Sequence, residues 1–546
     1  MKRIKNIITG LGLIAIIASC SKSMESEPLE RIGEDLVFDN IDKNADYAKQ
    51  FLNGTYLQLP EGYNRVINSF LDVGTDDAVS SEDGSLVEGF RTGLISGQNL
   101  PDNQWENNYT GIRRANMFLS KIDVVPTTPE LKIQWKAEAR FLRAYFYFEL
   151  VKRWGGVPLI GDKIFGLNDN VNLKRNTTDE CYDYILSEIE AVKDLLLPAV
   201  LSDQNIGRAS KGAALALKSR ILLYRASPLL NPGSDLQRWK AAADAAKEVM
   251  TLGNYSLGTD FIALFNAVKN PEIIFMKGKA QSQNVELNNG PIGYTAGNGN
   301  TSPTQNLVDA FPMKNGKMPM ETGSGYDVAN PYANRDPRFS ATVLFNTSKW
   351  LNRPVETFNG GLDRPGGSRT QTKTGYYLRK FMGKFESSGI YSNQNHHVML
   401  FRYAEILLNY AEALNEYNGP AAEVTDAIIA IRKRAGITAG TDGRYGIAAG
   451  ISQGQMRTLI RNERRVEMAF EEQRFWDIRR WKIAEQVLNG PLKGMNIVKN
   501  PDGTFNYSIQ DIAPAVFDAS KNYLFPIPYT EIQTNPNMTQ NPGYTY

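Results

Sequence analysis

Two cysteines and two histidines in 546 residues leave little material for several kinds of chemistry. The histidines are adjacent, His396 and His397, so a catalytic triad or a histidine-based metal site is poorly supplied. Cys20 sits in the N-terminal leader, which leaves Cys181 without a disulfide partner and the chain without a disulfide framework. Cys181 falls in Thr-Asp-Glu-Cys-Tyr-Asp-Tyr-Ile-Leu, a helical pattern in which a small buried thiol is expected. No Gly-x-Ser-x-Gly elbow and no metal-binding histidine motif stands out. There is no charge surplus either: 61 basic residues face 59 acidic ones, which argues against nucleic acid as a partner. Beyond the leader no long apolar run occurs, so the body reads as soluble.

What is present begins with the leader. Lys2, Arg3 and Lys5 precede an apolar run from Ile7 to Ile17, closed by Ile17-Ala18-Ser19-Cys20. The run is too short to span a bilayer and reads as an export signal covering residues 1–19. The cysteine at the cleavage point resembles that of a bacterial lipoprotein, in which Cys20 would become the acylated first residue. Several acyl chains on one residue hold a protein firmly at a membrane. Residues 20–42 then read as a polar tether. Loss of the leader removes three cationic side chains and takes the formal charge from +2 to −1.

The remaining chain, roughly 525 residues, exceeds a single-core size and calls for several layers or a repeat stack. Apolar residues at helical spacing predict helices over Asn44–Leu57, Trp105–Ile122, Leu131–Trp154, 177–196, 209–226 and 237–252. Gly155-Gly156 is a stop for the third. Ala213, Ala214, Ala216 and the alanines to Ala246 permit close helix approach, as in stacked hairpins, although no clean 34-residue repeat is evident. Residues 72–103 read as ordered loops, and 284–398 as a long loop-rich stretch broken by prolines yet holding Tyr294, Tyr326, Tyr332, Trp350 and Phe358. Helices return at Phe401–Glu416, Val424–Ala435 and Gln453–Lys482. One domain over 43–546 is expected, with a helical scaffold at 43–275 and 400–486, a ligand-binding region at about 280–398 and an irregular C-terminal segment at 487–546.

Ordered strings along this scaffold resemble one family. They are Gly111-Ile-Arg-Arg-Ala-Asn-Met-Phe-Leu; Ala137-Glu-Ala-Arg-Phe-Leu-Arg-Ala-Tyr-Phe-Tyr-Phe-Glu-Leu running to Trp154-Gly-Gly-Val-Pro-Leu; and Arg402-Tyr-Ala-Glu-Ile-Leu-Leu-Asn-Tyr-Ala-Glu-Ala-Leu-Asn-Glu. Ile431-Arg-Lys-Arg-Ala-Gly, the run from Arg461 to Trp481, Leu524-Phe-Pro-Ile-Pro and the Asn535–Tyr544 segment complete the order. Together they resemble the SusD/RagB family over nearly the whole mature chain. The resemblance implies a mainly α fold of tetratricopeptide-like helix pairs in a right-handed superhelix, with an irregular ligand-binding face. It also implies a non-catalytic lipoprotein exposed on the outer membrane. Such a protein captures oligo- or polysaccharide and serves as a lid on a SusC-like TonB-dependent transporter. No cofactor is implied.

The same strings read first as scaffold. Glu463, Glu467 and Glu471 are four apart among Arg464, Arg465 and Arg474, a charge ladder on one long helix. Arg140 and Arg143 read as scaffold ion pairs, Arg474, Asp477, Arg480 and Trp481 as internal pairing, and Trp105 as core. Ligand candidates come from the two regions where the family binds sugar: Asp76, Asp77, Phe90 and Arg91, and then Tyr294, Asn298, Tyr326, Tyr332 and Trp350. Sugar C–H faces stack on Trp or Tyr, while Asn, Asp and Arg bond hydroxyls. Thr75-Asp76-Asp77 resembles the family's loop, but no tryptophan follows shortly, which weakens the case for a starch-type platform. Two alternatives stay open: a peptide-capturing lid of the same transporter class, and a surface glycoside hydrolase with a carboxylate pair.

Overall fold

Capping chemistry sets where the helices begin in the computed structural model, which describes residues 37–294, 296–366 and 371–545. The leader, Cys20 and the tether up to residue 36 lie outside these residues. Ten helices carry the scaffold: α1 (Asp46–Tyr56), α2 (Trp105–Lys121), α3 (Pro129–Trp154), α4 (Thr178–Val192), α5 (Lys211–Ala226), α6 (Leu236–Thr251), α7 (Tyr403–Asn418), α8 (Ala422–Ala435), α9 (Gln453–Glu467) and α10 (Gln473–Arg480). The Thr128 hydroxyl caps α3 ahead of a proline, and Thr177 with Glu180 forms a capping box on α4. Ser452 and Gln455 do the same for α9. Gly155, in a positive-φ conformation, ends α3 as expected.

The helices pack in chain order, α1 on α2, α2 on α3, α3 on α4, α5 on α6 and α6 on α7, with α8 and α9 on α7. Small residues make this closeness possible: Ala213, Ala214, Ala216, Ala242, Ala243 and Ala246 are all buried where α5 meets α6. Helix amounts to 40% and strand to 10%, a mainly helical chain. Among the described residues, no helix is long and apolar enough to cross a membrane.

Strands occur as two-stranded antiparallel ribbons. β1 (Ala78–Ser80) pairs with β3 (Thr301–Pro303), β2 (Ile273–Lys277) with β8 (Val398–Arg402), and β4 (Val343–Leu344) with β7 (Tyr377–Leu378). β5 (Lys349–Trp350) pairs with β6 (Arg353–Pro354), and β9 (Leu492–Lys499) forms a long hairpin with β10 (Phe505–Ala513). The loop-rich middle is not loose. Phe311, Phe339, Trp350 and Tyr376 are buried in the same apolar cluster as the helical residues.

One expected helix is broken. Gln453–Lys482 is two helices, because Phe470 and Glu472 adopt left-handed backbone between α9 and α10. The carbonyls of Glu467 and Ala469 are free of the helix ladder and accept from the Lys380 ammonium at 3.1 and 2.8 Å, and Arg402 bonds the Glu467 carbonyl at 2.8 Å. The expected ladder is therefore also corrected. Glu463 pairs with Arg338 and Arg432, Glu467 with Arg338, Arg402 and Arg434, and Glu471 with Lys380 and Arg402, all from other segments. Arg474 leaves its own helix and pairs with Asp76 at 2.8 Å. Arg140 and Arg143 do act as scaffold ions, sharing Glu188.

A Cβ at Gly156 would stand 2.0 Å from the carbonyl oxygen of Asn176, directly before the α4 cap, whereas one at Gly166 meets open space. Gly156→Ala should cost about 1–3 kcal/mol of stability and Gly166→Ala stay within about 0.5 kcal/mol, as read by thermal or denaturant unfolding.

Candidate functional site

The two segments that the sequence singles out meet across the β1–β3 ribbon, in the register Ala78↔Pro303, Val79↔Ser302 and Ser80↔Thr301. Further bonds extend the seam. The Ser81 N–H donates to the Asn300 carbonyl at 2.9 Å, the Ser81 and Ser302 hydroxyls lie 2.7 Å apart, and Lys373 reaches Asp83 at 2.7 Å while its N–H donates to the Ser302 hydroxyl. Ahead of β3, the Gly299 N–H donates to the Gly290 carbonyl at 3.0 Å, which brings these two glycines together. That loop presents Tyr294, half-buried, and Asn298, exposed. The Arg353 guanidinium lies 3.5 Å over the Tyr294 ring and is itself held by both oxygens of Asp363. One face of Tyr294 is thus fixed by a cation. The result is a ring of set orientation beside the Arg353–Asp363 ion pair.

Asp76 and Asp77 face inward. Asp76 takes Arg474 through both oxygens at 2.9 and 2.8 Å and Arg465 at 2.8 Å, and Asp77 takes Arg465 at 2.7 Å. Burial by itself raises the Asp76 carboxyl, but the two guanidiniums outweigh it and hold the group at about 2. For Asp77 burial prevails and its carboxyl is raised. Their carbonyls act at one remove: Thr304 donates its hydroxyl to the Asp76 carbonyl at 2.6 Å and its N–H to the Asp77 carbonyl at 2.9 Å. The aspartates therefore seat β1 against β3, and have no open side for a ligand.

Phe90, Arg91 and Trp350 are corrected in the same way. Phe90 is buried between the Phe475 and Phe525 rings. Arg91 bonds the Pro514 carbonyl and pairs with Glu88 at 2.7 Å. Trp350 is 0% exposed, its indole N–H donating to the Tyr391 hydroxyl at 2.9 Å and its ring lying under Arg379. No face of it is available for stacking. Tyr332 is half-buried in a nest of Phe339, Phe345, Tyr376 and Tyr507, and Tyr326 is half-buried beside Arg335. Of the nine candidates, Tyr294 and Asn298 lie in the segment leading into β3, Tyr332 sits in an aromatic nest, Tyr326 is beside Arg335, and five are interior. Ser81, Asp83, Asn300, Ser302, Lys373 and Arg353 were not singled out. Nothing in their local sequence marks them: Ser81 meets Ser302, and Asp83 meets Lys373, only across more than two hundred residues.

Cys181 is buried with its thiol toward the Val157 carbonyl, and burial pushes it up to about 11, far from nucleophilic use. His396 lies between Glu286, 3.2 Å from Nε2, and the Ser282 hydroxyl, 3.4 Å from Nδ1. The residue types are those of a hydrolase triad. Yet His396 and Glu286 are buried, Glu286 also accepts from the Gly383 N–H, and the serine contact is longer than an activated nucleophile requires. The line stitches a short helix, Asn284–Asn289, to the 383–396 segment. Among the described residues, no group of three or more His, Cys, Asp or Glu is arranged to hold a metal ion.

Comparison with known proteins places these observations. A model described as the SusD family matches residues 271–544, and one described as starch-binding associating with outer membrane matches 30–223. A SusD-like protein of Formosa agariphila is 26% identical over 100% of both chains. A crystal structure of a SusD-like protein from Bacteroides fragilis, 29% identical, superposes with a TM-score of 0.78 over 93% of this chain and 98% of its own. A SusD-like carbohydrate binding protein from the same organism, 24% identical, has the same fold at a TM-score of 0.78 over 92% of this chain and 100% of its own.

Asp72 supplies a test of the inward acid cluster. It is fully buried, neither carboxylate oxygen has a hydrogen-bond partner, and burial together with Asp77 and Glu472 pushes its carboxyl well above the usual range. A carboxyl raised in the folded state supports the fold below its unfolded pKa and loses that support as pH rises toward the folded value. Asp72→Asn, neutral throughout, should raise the melting temperature at pH 7, with the gain shrinking toward pH 4.

Proposed function

Because this chain belongs to the SusD family, we propose that it is a cell-surface glycan-binding lipoprotein that hands its ligand to a SusC-like TonB-dependent transporter of the outer membrane. Family membership supports carbohydrate binding without catalysis, and one matching model describes starch-binding proteins that associate with the outer membrane. A similar solved structure is that of a SusD-like carbohydrate binding protein. The observation that carries the reading onto this chain is the β1–β3 seam with its clamped tyrosine. A sugar offers apolar C–H faces and a rim of hydroxyls. Tyr294 supplies a ring of fixed tilt for the first, and Asn298, Asp83 and Lys373 supply donors and acceptors for the second.

Attachment rests on Cys20, which follows Ile17-Ala18-Ser19 at the end of the apolar leader. Acyl chains there, followed by the polar tether, would keep the folded body at the membrane surface. Handover needs no large change in this protein; closure belongs to the lid and transporter as a pair.

The test is a binding screen of residues 21–546 against plant, host and microbial polysaccharides. Tyr294→Ala should weaken the best ligand by about 1 kcal/mol or more, roughly fivefold, with the melting temperature kept. Trp350→Ala, in contrast, should lower the melting temperature itself, by about 3–5 kcal/mol of stability. Glycan affinity untouched by Tyr294→Ala and Asn298→Ala would move the site off this seam. Silence to glycans with binding of peptides would favour peptide cargo. In cells, Cys20→Ala should abolish incorporation of labelled palmitate and release the protein from the membrane fraction.

A further inference from the structure

At the far ends of the helices, the α5–α6 connection, the C-terminus of α7 and the first turns of α9 enclose a cleft of about 730 Å³. Trp239, Tyr417, Asn418, Arg457 and Arg461 are among its lining residues, and no residue of the β1–β3 seam contributes. The charges around it do not cancel. Arg457 is neutralised by Glu416, guanidinium to carboxylate through two bonds of 2.5 Å. Glu412, one turn earlier on α7, is taken by Arg480 at 2.6 and 2.7 Å and by the Trp481 indole N–H at 2.6 Å.

Arg461 is left over. It has no carboxylate partner among the described residues, and its Nε–H is shielded from solvent with no acceptor. Its guanidinium lies 4.8 Å over the Trp481 ring, which fixes the plane. Burial lowers its pKa, and the nearby carboxylates of Glu412 and Glu416 do not offset that effect. A flat guanidinium of fixed orientation matches a carboxylate through two parallel bonds. The cleft has the size of a small-ligand pocket, and its walls offer a half-buried tyrosine and an exposed amide of the kind that meet sugar rings and hydroxyls.

We propose that this cleft is a second carbohydrate site, selective for an acidic sugar, in which Arg461 binds the carboxylate of a uronate residue. The site is separate from the seam in residues and in place, so the two readings stand or fall apart. Calorimetric titration of residues 21–546 with oligogalacturonate and with its methyl ester decides it. The acid should bind and the methyl ester bind roughly tenfold more weakly or not at all, with affinity for the acid falling as salt is raised. Arg461→Gln should abolish the difference between acid and ester while keeping the melting temperature, since no ion pair is broken. Asn418→Trp, which fills the rim and leaves Arg461 in place, should also weaken the acid, and Tyr294→Ala should not. Equal binding of acid and ester, unchanged binding in Arg461→Gln, or no binding of oligogalacturonate at millimolar concentration would each overturn the proposal. Arg461-dependent binding of an oligoglutamate peptide in place of the uronate would overturn it as well, and assign the cleft to an acidic protein segment.

Discussion

The structure hangs on buried arginine–carboxylate pairing between segments remote in sequence. Arg402, at the end of β8, holds Glu272, Glu467 and Glu471 at once, and Arg338 holds Asp336, Glu463 and Glu467, with all of these side chains essentially out of solvent. Each charge is costly to desolvate, and the cost is offset only while every fork is filled. Losing one partner would strand the others. This lattice welds the second group of helices to the loop-rich middle, and it is why that middle holds one conformation with little regular structure.

The same lattice explains what could be read from the sequence. Helices α1 to α8 are amphipathic or alanine-rich units whose apolar spacing and caps are local, so their positions were legible to within a few residues. The α9–α10 break was not. Helical propensity continues through Met468–Glu472, but Lys380 and Arg402 draw on the carbonyls there, and long-range ion pairs outweigh local preference. Reading Glu463, Glu467 and Glu471 as a ladder failed for the same reason: spacing gives the neighbours on a helix and says nothing of cations arriving from other segments.

At the site, residue type was a weaker guide than burial. A tryptophan in a glycine-rich stretch reads equally as platform or as core, and Trp350 is core. Acids in a loop read as ligands, yet Asp76 and Asp77 are matched by arginines nearly four hundred residues away. Asn298 is exposed, and Tyr294, though half-buried, is held at one face by Arg353. Lys373 and Ser302 gain a role only through the ribbon that joins them to Asp83 and Ser81.

That ribbon has a consequence in time. Its three residue pairs, Ala78–Ser80 on Thr301–Pro303, close a chain loop of more than two hundred residues. The helical hairpins between them depend on near neighbours and can form early, while so distant a closure, with its loop entropy, comes late. The seam is then among the last parts of the molecule to form, after helices that need only their near neighbours. An intact seam thereby reports completed assembly: a truncated or half-folded chain would lack the ribbon that sets the Ser81 hydroxyl against that of Ser302.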